Sequence, residues 1–352
     1  MKLMKLREQM QKRELDSLLV TNPYNLRFIT GFTGTAGLAL ITPNDAWFIT
    51  DFRYTEQAGE QVTEFKVVQA QKGLIDEVAR IAGEAAVERL AFEQDYMTFA
   101  TYSQYQEKLS ATLEPVSGLI EKLRMVKSPE ELEVLKAAAK IADDAFEHIC
   151  GYIKAGMTEL QVSNELEFFM RSQGATSSSF DIIVASGLRS ALPHGVASDK
   201  KIEQGDLITL DFGALYNGYV SDITRTVAVG EPSDKLKEIY QVVLDSQVLA
   251  LEKIKPGMTG IEADAIARDY INSKGYGEAF GHSTGHGIGL EVHEGPGLSF
   301  RSETVLEPGM AVTVEPGIYL PGIGGVRIED DILITETGNE RLTHSSKELR
   351  IL

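Results

Sequence analysis

A hexapeptide returns almost unchanged 101 residues further along the chain. Ile153-Lys154-Ala155-Gly156-Met157-Thr158 is matched by Ile254-Lys255-Pro256-Gly257-Met258-Thr259. Each threonine is followed three places on by Gln161 or Glu262, the spacing of a capping box, so both copies predict the start of a helix. The same shift persists to the helix ends, with Phe169, Ser172 and Gly174 against Tyr270, Ser273 and Gly275. Beyond them, Glu203-Gln204-Gly205-Asp206 leading to Asp211-Phe212-Gly213 is echoed by Glu307-Pro308-Gly309-Met310 leading to Glu315-Pro316-Gly317, a shift of 104 (211 to 315). One such match arises by chance. A cap, a helix end and a strand recurring in order do not, and they predict two half-domains related by an approximate twofold axis.

The first 122 residues lie outside this repeat. Lys5–Leu15 has a mixed-charge helical pattern. Ser17–Thr21, Gly37–Ile41 and Ala46–Thr50 are β-rich runs separated by turn residues such as Asn22-Pro23 and Pro43-Asn44. Strands alternating with helical patterns predict an α/β unit over residues 1–122. A new helix opens at Ser128-Pro129-Glu130-Glu131, with Ser128 as N-cap, Pro129 at N1 and Glu131 at N3. Residues 123–352 form the second domain, so the chain as a whole reads as α/β (α+β) in two domains.

Lysine and arginine number 34 against 52 aspartates and glutamates, a net charge of −18. A surface that acidic repels a phosphate backbone, so nucleic acid is not an expected partner. The longest apolar runs, such as Leu38–Ile41, are far too short to span a membrane. Cys150 is the only cysteine, which excludes a disulfide framework and a cysteine-rich zinc module. The opening MKLMKLREQMQKRELD is charged and has no apolar core, unlike a secretory signal. These features predict a soluble cytoplasmic protein.

The repeat gives the acids their meaning. Asp211 and Glu315 occupy equivalent positions after the apolar runs Leu207–Leu210 and Ala311–Val314. Each run is followed by a second acid, Asp222 after Tyr219-Val220-Ser221 and Glu329 after Val326-Arg327-Ile328. Both spacings suit an antiparallel hairpin that sets two acids side by side, and the twofold would converge all four. A single aspartate at a strand end is ordinarily a turn or cap residue. Four acids at duplicated positions cannot all stay ionised in a buried site unless cations neutralise them. Carboxylates with an imidazole suit two divalent ions, Mn²⁺, Co²⁺ or Zn²⁺, and a hydrolytic two-metal site; a structural calcium site shares the carboxylates.

Histidine argues against calcium. Of six, His194 stands in Leu192-Pro193-His194-Gly195, and His282, His286 and His293 fall within GHSTGHGIGLEVHE. The glycines around them let the backbone pass close to a centre while imidazoles project towards it. One imidazole can complete a metal shell, and others can stabilise an oxyanion or carry protons. His148 and His344 read as structural. No lysine follows the glycines as in a phosphate-binding loop.

These residues resemble a known family. Ser186-Gly187 with Pro193-His194-Gly195, Asp211-Phe212-Gly213, Ser221-Asp222-Ile223-Thr224-Arg225-Thr226, Gly285-His286-Gly287-Ile288-Gly289, His293-Glu294, Glu315-Pro316-Gly317 and Gly325-Val326-Arg327-Ile328-Glu329-Asp330 are similar to the metallopeptidases of the pita-bread fold. The match is to their proline-specific branch, prolidase (Xaa-Pro dipeptidase) and aminopeptidase P. Pro23-Tyr24-Asn25, Thr30-Gly31-Phe32 and Asp51-Phe52-Arg53-Tyr54 resemble its creatinase-like N-terminal domain. The resemblance implies two divalent ions, Mn²⁺ foremost, held by Asp211, Asp222, His286, Glu315 and Glu329. Asp222 and Glu329 would bridge them, with Asp211 on one and His286 and Glu315 on the other. Glu315 would shuttle protons, His194 and His293 would hold the substrate and stabilise the tetrahedral intermediate, and His282 and Arg327 would support the site. Phe180 is a candidate wall for the proline ring.

Short proline-containing peptides are the implied substrates, and a homodimer the implied assembly, with the glycine-rich Gly31–Gly37 loop and its Phe32 reaching outwards. Some prolidases carry an arginine shortly after His-Glu-x-Pro; here Glu294 is followed by Gly295-Pro296-Gly297, and Arg301 is the nearest arginine. That departure keeps aminopeptidase P beside the dipeptidase reading. A metal-free creatinase-like hydrolase and a non-catalytic binding module share the fold, but the five intact ligand positions and the lack of long appended tails count against them.

Overall fold

Asn22 and Pro23 do more than turn the chain. Asn22 caps the Pro23–Thr30 helix, its side-chain oxygen accepting from the amides of Tyr24 and Asn25, with Pro23 in the first turn. The computed structural model describes residues 1–352, which divide into two units, Met1–Arg124 and Met125–Leu352. In the first, the helical start runs over Lys2–Lys12, earlier than its charge pattern predicts, because Leu3, Leu6 and Met10 form the buried face. A six-stranded sheet follows in the order 66–69, 46–50, 38–41, 18–20, 89–93, 112–116. Strand 38–41 is antiparallel to both its neighbours, and the other three pairs are parallel. Strands joined in parallel through helices make this an α/β unit.

One expectation for this unit fails. Phe32 does not reach outwards. Its ring is 2% exposed and packs 4.7 Å from Phe48 and edge-on to Tyr54. Gly34 makes room, since a Cβ there would lie 2.3 Å from the Phe32 ring.

In the second unit the Pro129–Tyr152 helix opens on the expected capping box of Ser128 and Glu131. Thr158 with Gln161 and Thr259 with Glu262 cap the helices Glu159–Ser172 and Gly260–Ser273 in the same way. Both end alike. The Ala175 amide bonds the Met170 carbonyl, and the Tyr276 amide bonds Ile271, across Gly174 and Gly275 at φ of 102° and 84°. That is a Schellman closure, which needs the left-handed residue that glycine supplies most cheaply. The helices pack their apolar faces on strands, Leu166 and Met170 against Val184 and Leu210, Ala263 and Ala267 against Val312 and Ile332.

The paired acids sit on those strands. Leu207–Phe212 runs antiparallel to Ile223–Ala228, with Asp211 opposite Thr224. Ala311–Val314 runs antiparallel to Asp330–Ile334, with Val314 opposite Asp330. Neither pair is a simple hairpin. Each connection folds out as a smaller one, 214–216 with 219–220 and 317–320 with 324–327. Asp222 therefore lies two residues before the partner of Asp211. It shares a face with Thr224, and so meets Asp211 on the diagonal instead of side by side.

Because the two capping boxes start the repeated helices, Thr158→Ala and Thr259→Ala should each cost about 1 kcal/mol. Urea unfolding followed by circular dichroism checks this, and no measurable loss at either site would show that the caps do not govern the repeat.

Candidate metal centre

A cleft of about 410 Å³ in the second unit is lined by Asp211, Asp222, Glu315, Glu329, His286, His282, His293, His194, Arg327 and Phe180, among others. All ten residues singled out as site candidates thus face one cavity. Arg301 does not. It is exposed, with its guanidinium 5.0 Å from the Phe300 ring.

Ligand atoms of Asp222, His286 and Glu329 lie within 4.8 Å of one another. His286 Nε2 stands 3.3 Å from Glu315 Oε1 and 3.8 Å from Asp222 Oδ2. The opposite ring nitrogen, Nδ1, lies 3.1 Å from the Gly287 carbonyl, which can only accept. That bond assigns the proton to Nδ1 and turns the Nε2 lone pair towards the carboxylates, as a metal ligand requires. His286 is on the Gly285–Gly287 strand, squeezed between neighbours: a Cβ on Gly285 would fall 2.0 Å from the Thr313 carbonyl, and one on Gly287 2.1 Å from the Gly295 carbonyl. Gly281 has no such neighbour, so its absent side chain answers no close approach.

The acids are held by one oxygen and left open at another. Asp211 Oδ2 accepts from Arg327 Nη2 at 2.5 Å, and Glu329 Oε2 accepts from Thr224 Oγ1 at 2.6 Å. Glu315 Oε1 accepts from Thr313 Oγ1 at 3.2 Å. Asp211 Oδ1, Asp222 Oδ1 and Glu329 Oε1 are buried with no hydrogen-bond partner. Orphaned buried carboxylate oxygens are costly unless something unshown in the chain meets them. Burial, followed by mutual repulsion, pushes Asp222 and Glu329 well above the ordinary carboxylate range. Burial pushes Glu315 up to about 8, against the pull of Arg327. The donor set fits hard divalent cations, and in their absence it holds protons instead.

The histidines divide by role. His282 is half-buried, and desolvation with the nearby Arg327 charge lowers it to about 4. Its Nδ1 donates to the Ser283 carbonyl at 2.8 Å, so Nε2 accepts from Tyr319 Oη at 2.9 Å. Tyr319 in turn accepts from Arg327 Nη1 at 2.7 Å, and the same nitrogen donates to the Pro193 carbonyl at 3.2 Å. A chain of bonds thus runs from Asp211 through Arg327 and Tyr319 to a neutral His282. His293 is exposed on the cleft wall, 4.3 Å from the His286 ring, and partial desolvation with that neighbour lowers it. His194 is exposed at the lip.

Sequence reasoning missed Thr224, Thr313, Tyr319 and Asp331. Asp331 is buried, accepts from the Asp222 amide at 2.9 Å and is raised by burial. The signal for Thr224 and Asp331 was available: each stands two places after a paired acid, on the same face of its strand.

Residues 133–336 match the model of metallopeptidase family M24, and residues 2–126 match that of the creatinase/prolidase N-terminal domain. The chain is 43% identical to an Xaa-Pro dipeptidase of Pyrococcus furiosus over 99% of each chain. It superposes on an Xaa-Pro dipeptidase from Bacillus anthracis with a TM-score of 0.99 at 63% identity, covering 100% of this chain and 99% of that one. An X-Pro aminopeptidase from Thermotoga maritima gives a TM-score of 0.90 at 41% identity, covering 98% and 100%.

Raised carboxylates make the ion-free fold sensitive to alkali. The folded state keeps protons that the unfolded chain releases near pH 4–5, a stabilisation present at acid pH and lost as pH rises through about 8 at Glu315. His282 works the other way, losing stability as pH falls below about 6.5, but it does so with or without ions. The melting gap between Mn²⁺-saturated and chelated protein should therefore widen from pH 5.5 to 8.5, with a gain of about 2.7 kcal/mol at a hundredfold excess over Kd. An equal gap at both pH values would contradict the assignment.

Proposed function

The chain belongs to metallopeptidase family M24, and from that membership we propose that it is an Xaa-Pro dipeptidase, a prolidase, hydrolysing the bond before a terminal proline. The observation that carries the proposal is the set of buried, half-satisfied carboxylates around His286 Nε2 at the base of one cleft. Its volume lies near the lower end of the usual range for ligand pockets, about 300–1,000 Å³, which suits a short peptide.

Asp211, Asp222, His286, Glu315 and Glu329 would together hold two divalent ions. Mn²⁺ is the proposed metal, with Co²⁺ and Zn²⁺ satisfying the same oxygen and imidazole donors. Bound there, such ions supply a nucleophilic water at neutral pH and polarise the scissile carbonyl. The chain's own groups do the rest. Glu315 takes the proton of the attacking water on its carboxylate and delivers it to the departing imino nitrogen, which as a tertiary amide nitrogen carries no hydrogen of its own. His293 and His194, as ring N–H donors, hold the substrate carbonyl and meet the charge that develops on its oxygen. Arg327 fixes Asp211 and, through Tyr319, keeps His282 as a neutral acceptor. Phe180 offers an apolar wall to the proline ring.

One observation favours a second reading, aminopeptidase P. Strict dipeptide selectivity needs a cation for the free carboxylate of the terminal proline. Gly297, just after Pro296, stands where some prolidases carry arginine, and Arg301 does not line the cleft, its guanidinium lying over the Phe300 ring. We also propose a cytoplasmic homodimer; Cys150 as the only cysteine is consistent with a reducing compartment, and exposed Leu188, Leu192 and Val196 near His194 give a partner something apolar to cover. Sedimentation at active concentrations should give twice 38.6 kDa, and a monomer alone would refute the dimer.

Asp222→Ala should abolish turnover of Ala-Pro while leaving the circular dichroism spectrum unchanged, and chelation of the wild type should do the same. Full activity in either case would defeat the two-metal assignment. On matched Ala-Pro, Ala-Pro-Ala and Ala-Ala, the expected order of kcat/KM puts Ala-Pro first and Ala-Ala last. A leading tripeptide would move the assignment to aminopeptidase P, and a leading Ala-Ala would end proline specificity.

A further inference from the structure

Glu159 is fully buried, stands outside the cleft and takes no part in the chemistry above. It opens the Glu159–Ser172 helix. Its Oε1 accepts from the amide and hydroxyl of Ser186, both at 2.8 Å. Its Oε2 accepts from the amide and hydroxyl of Ser198, at 3.1 and 2.6 Å. Arg189 Nε reaches both oxygens, at 3.3 and 3.0 Å. Every contact is a donor, so the carboxylate must stay an acceptor at both oxygens.

The placing of those donors is what matters. Ser186 ends the Ile183–Ser186 strand, Ser198 lies where the chain returns to the helix, and residues 187–197 between them form the loop that carries Pro193 and His194 into the cleft. Arg189, inside that loop, also donates from Nη2 to the Val196 carbonyl at 2.7 Å. One carboxylate thus ties both feet of the loop and, through Arg189, its middle. Within one chain Leu188, Leu192, His194 and Val196 are exposed, so little apolar burial inside the subunit anchors this segment. Its position rests mainly on polar bonds.

The second half of the repeat carries the same device independently. Asp264, buried on the Gly260–Ser273 helix, accepts the amide and hydroxyl of Thr284, both at 2.9 Å, and pairs with Arg268. Arg268 then donates to the Phe280 and His282 carbonyls at 3.1 and 2.7 Å, holding the segment that bears His282. In each half, an acid on the second helix works with an arginine to fix a loop carrying a cleft histidine.

We infer that Glu159 is a positioning residue that fixes His194 against the carboxylate cluster by holding both feet of its loop. Its effect on turnover rests on the proposed role of His194; its effect on the loop does not. Glu159→Gln keeps the volume but turns an amide N–H₂ towards donors. In hydrogen–deuterium exchange on the full Mn²⁺-loaded chain, peptides covering 187–198 should exchange about tenfold faster in this variant, with strands 207–212 and 223–228 unchanged. Unaltered protection of 187–198 overturns the inference. Ser198→Ala, which removes one donor from one foot, should give a smaller acceleration in the same peptides and keeps the test open if Glu159→Gln folds poorly. In a double-mutant cycle on Ala-Pro, Glu159→Gln should add no further loss of kcat to His194→Ala, because both act through one group. Losses that multiply would mark Glu159 as a general structural residue and overturn it. Full activity in His194→Ala would remove the proposed role of His194, while the exchange result would still decide Glu159.

Discussion

Four carboxylates turned towards one point is an arrangement that no chain makes without compensation. Asp211, Asp222, Glu315 and Glu329 all line the same cleft, and the three whose raised proton affinity is driven by burial would sooner hold protons than repel one another. The surrounding structure keeps them poised. A guanidinium and two threonine hydroxyls each occupy a single carboxylate oxygen, which fixes direction while leaving a lone-pair face open. Full satisfaction from within the protein would have quenched the site, and none at all would have left it disordered.

Duplication solves the problem of delivery. Each half brings two acids on an antiparallel strand pair, and the halves are stitched where those pairs meet. The Glu329 amide bonds the Thr224 carbonyl, and Thr226 Oγ1 donates to the Arg327 carbonyl. Residues 222 and 224 correspond to 329 and 331 at a common shift of 107, and the partners cross over. Thr224 reaches the carboxylate of Glu329, while Asp331 reaches the backbone of Asp222. Each half therefore orients the acid of the other. The twofold breaks beneath the cluster, at Arg225 and Asp330, a pair buried to within 1% of complete. Arg225 also donates to the Thr224 carbonyl at 2.9 Å and to the Ser345 carbonyl at 2.8 Å, and it bonds the Glu329 carbonyl. A buried pair of this kind is worth keeping for the geometry it specifies more than for net stability.

The sequence made legible those features that leave an excess over background. Two capping boxes at one spacing, two Schellman glycines and two Asp/Glu positions at strand ends are improbable together, and each became what its chemistry requires. Thr224 and Thr313 escaped because threonine is an ordinary strand residue, so neither raised the local signal. Tyr319 escaped because its role depends on a nested hairpin, 317–320 with 324–327, whose existence the acid spacing alone did not reveal. Phe32 misled for the opposite reason. Glycines around an aromatic look like a mobile outward loop, whereas Gly34 is small so that the ring can fold inwards. Local pattern carries the strands and caps; the direction of a side chain needs the tertiary partner.

Charge arithmetic says why an arginine belongs beside such a cluster. Counting the proposed ligand acids alone and taking them as ionised on the ions, the four would contribute −4, and Arg327, held in its charged form by Tyr319, Asp211 and Glu315 despite burial, contributes +1. His282, His286 and His293 are all lowered by burial, which favours their uncharged forms, and they are left out of the count. One divalent ion leaves a net −1, which would repel a developing oxyanion. Two, as proposed, would leave +1, which would attract it. Without Arg327 the two-ion site would be neutral and indifferent to the transition state. With two ions bound the guanidinium would do more than orient Asp211: it would tip the centre from merely compensated to complementary for negative charge, at a depth where such a charge is weakly screened.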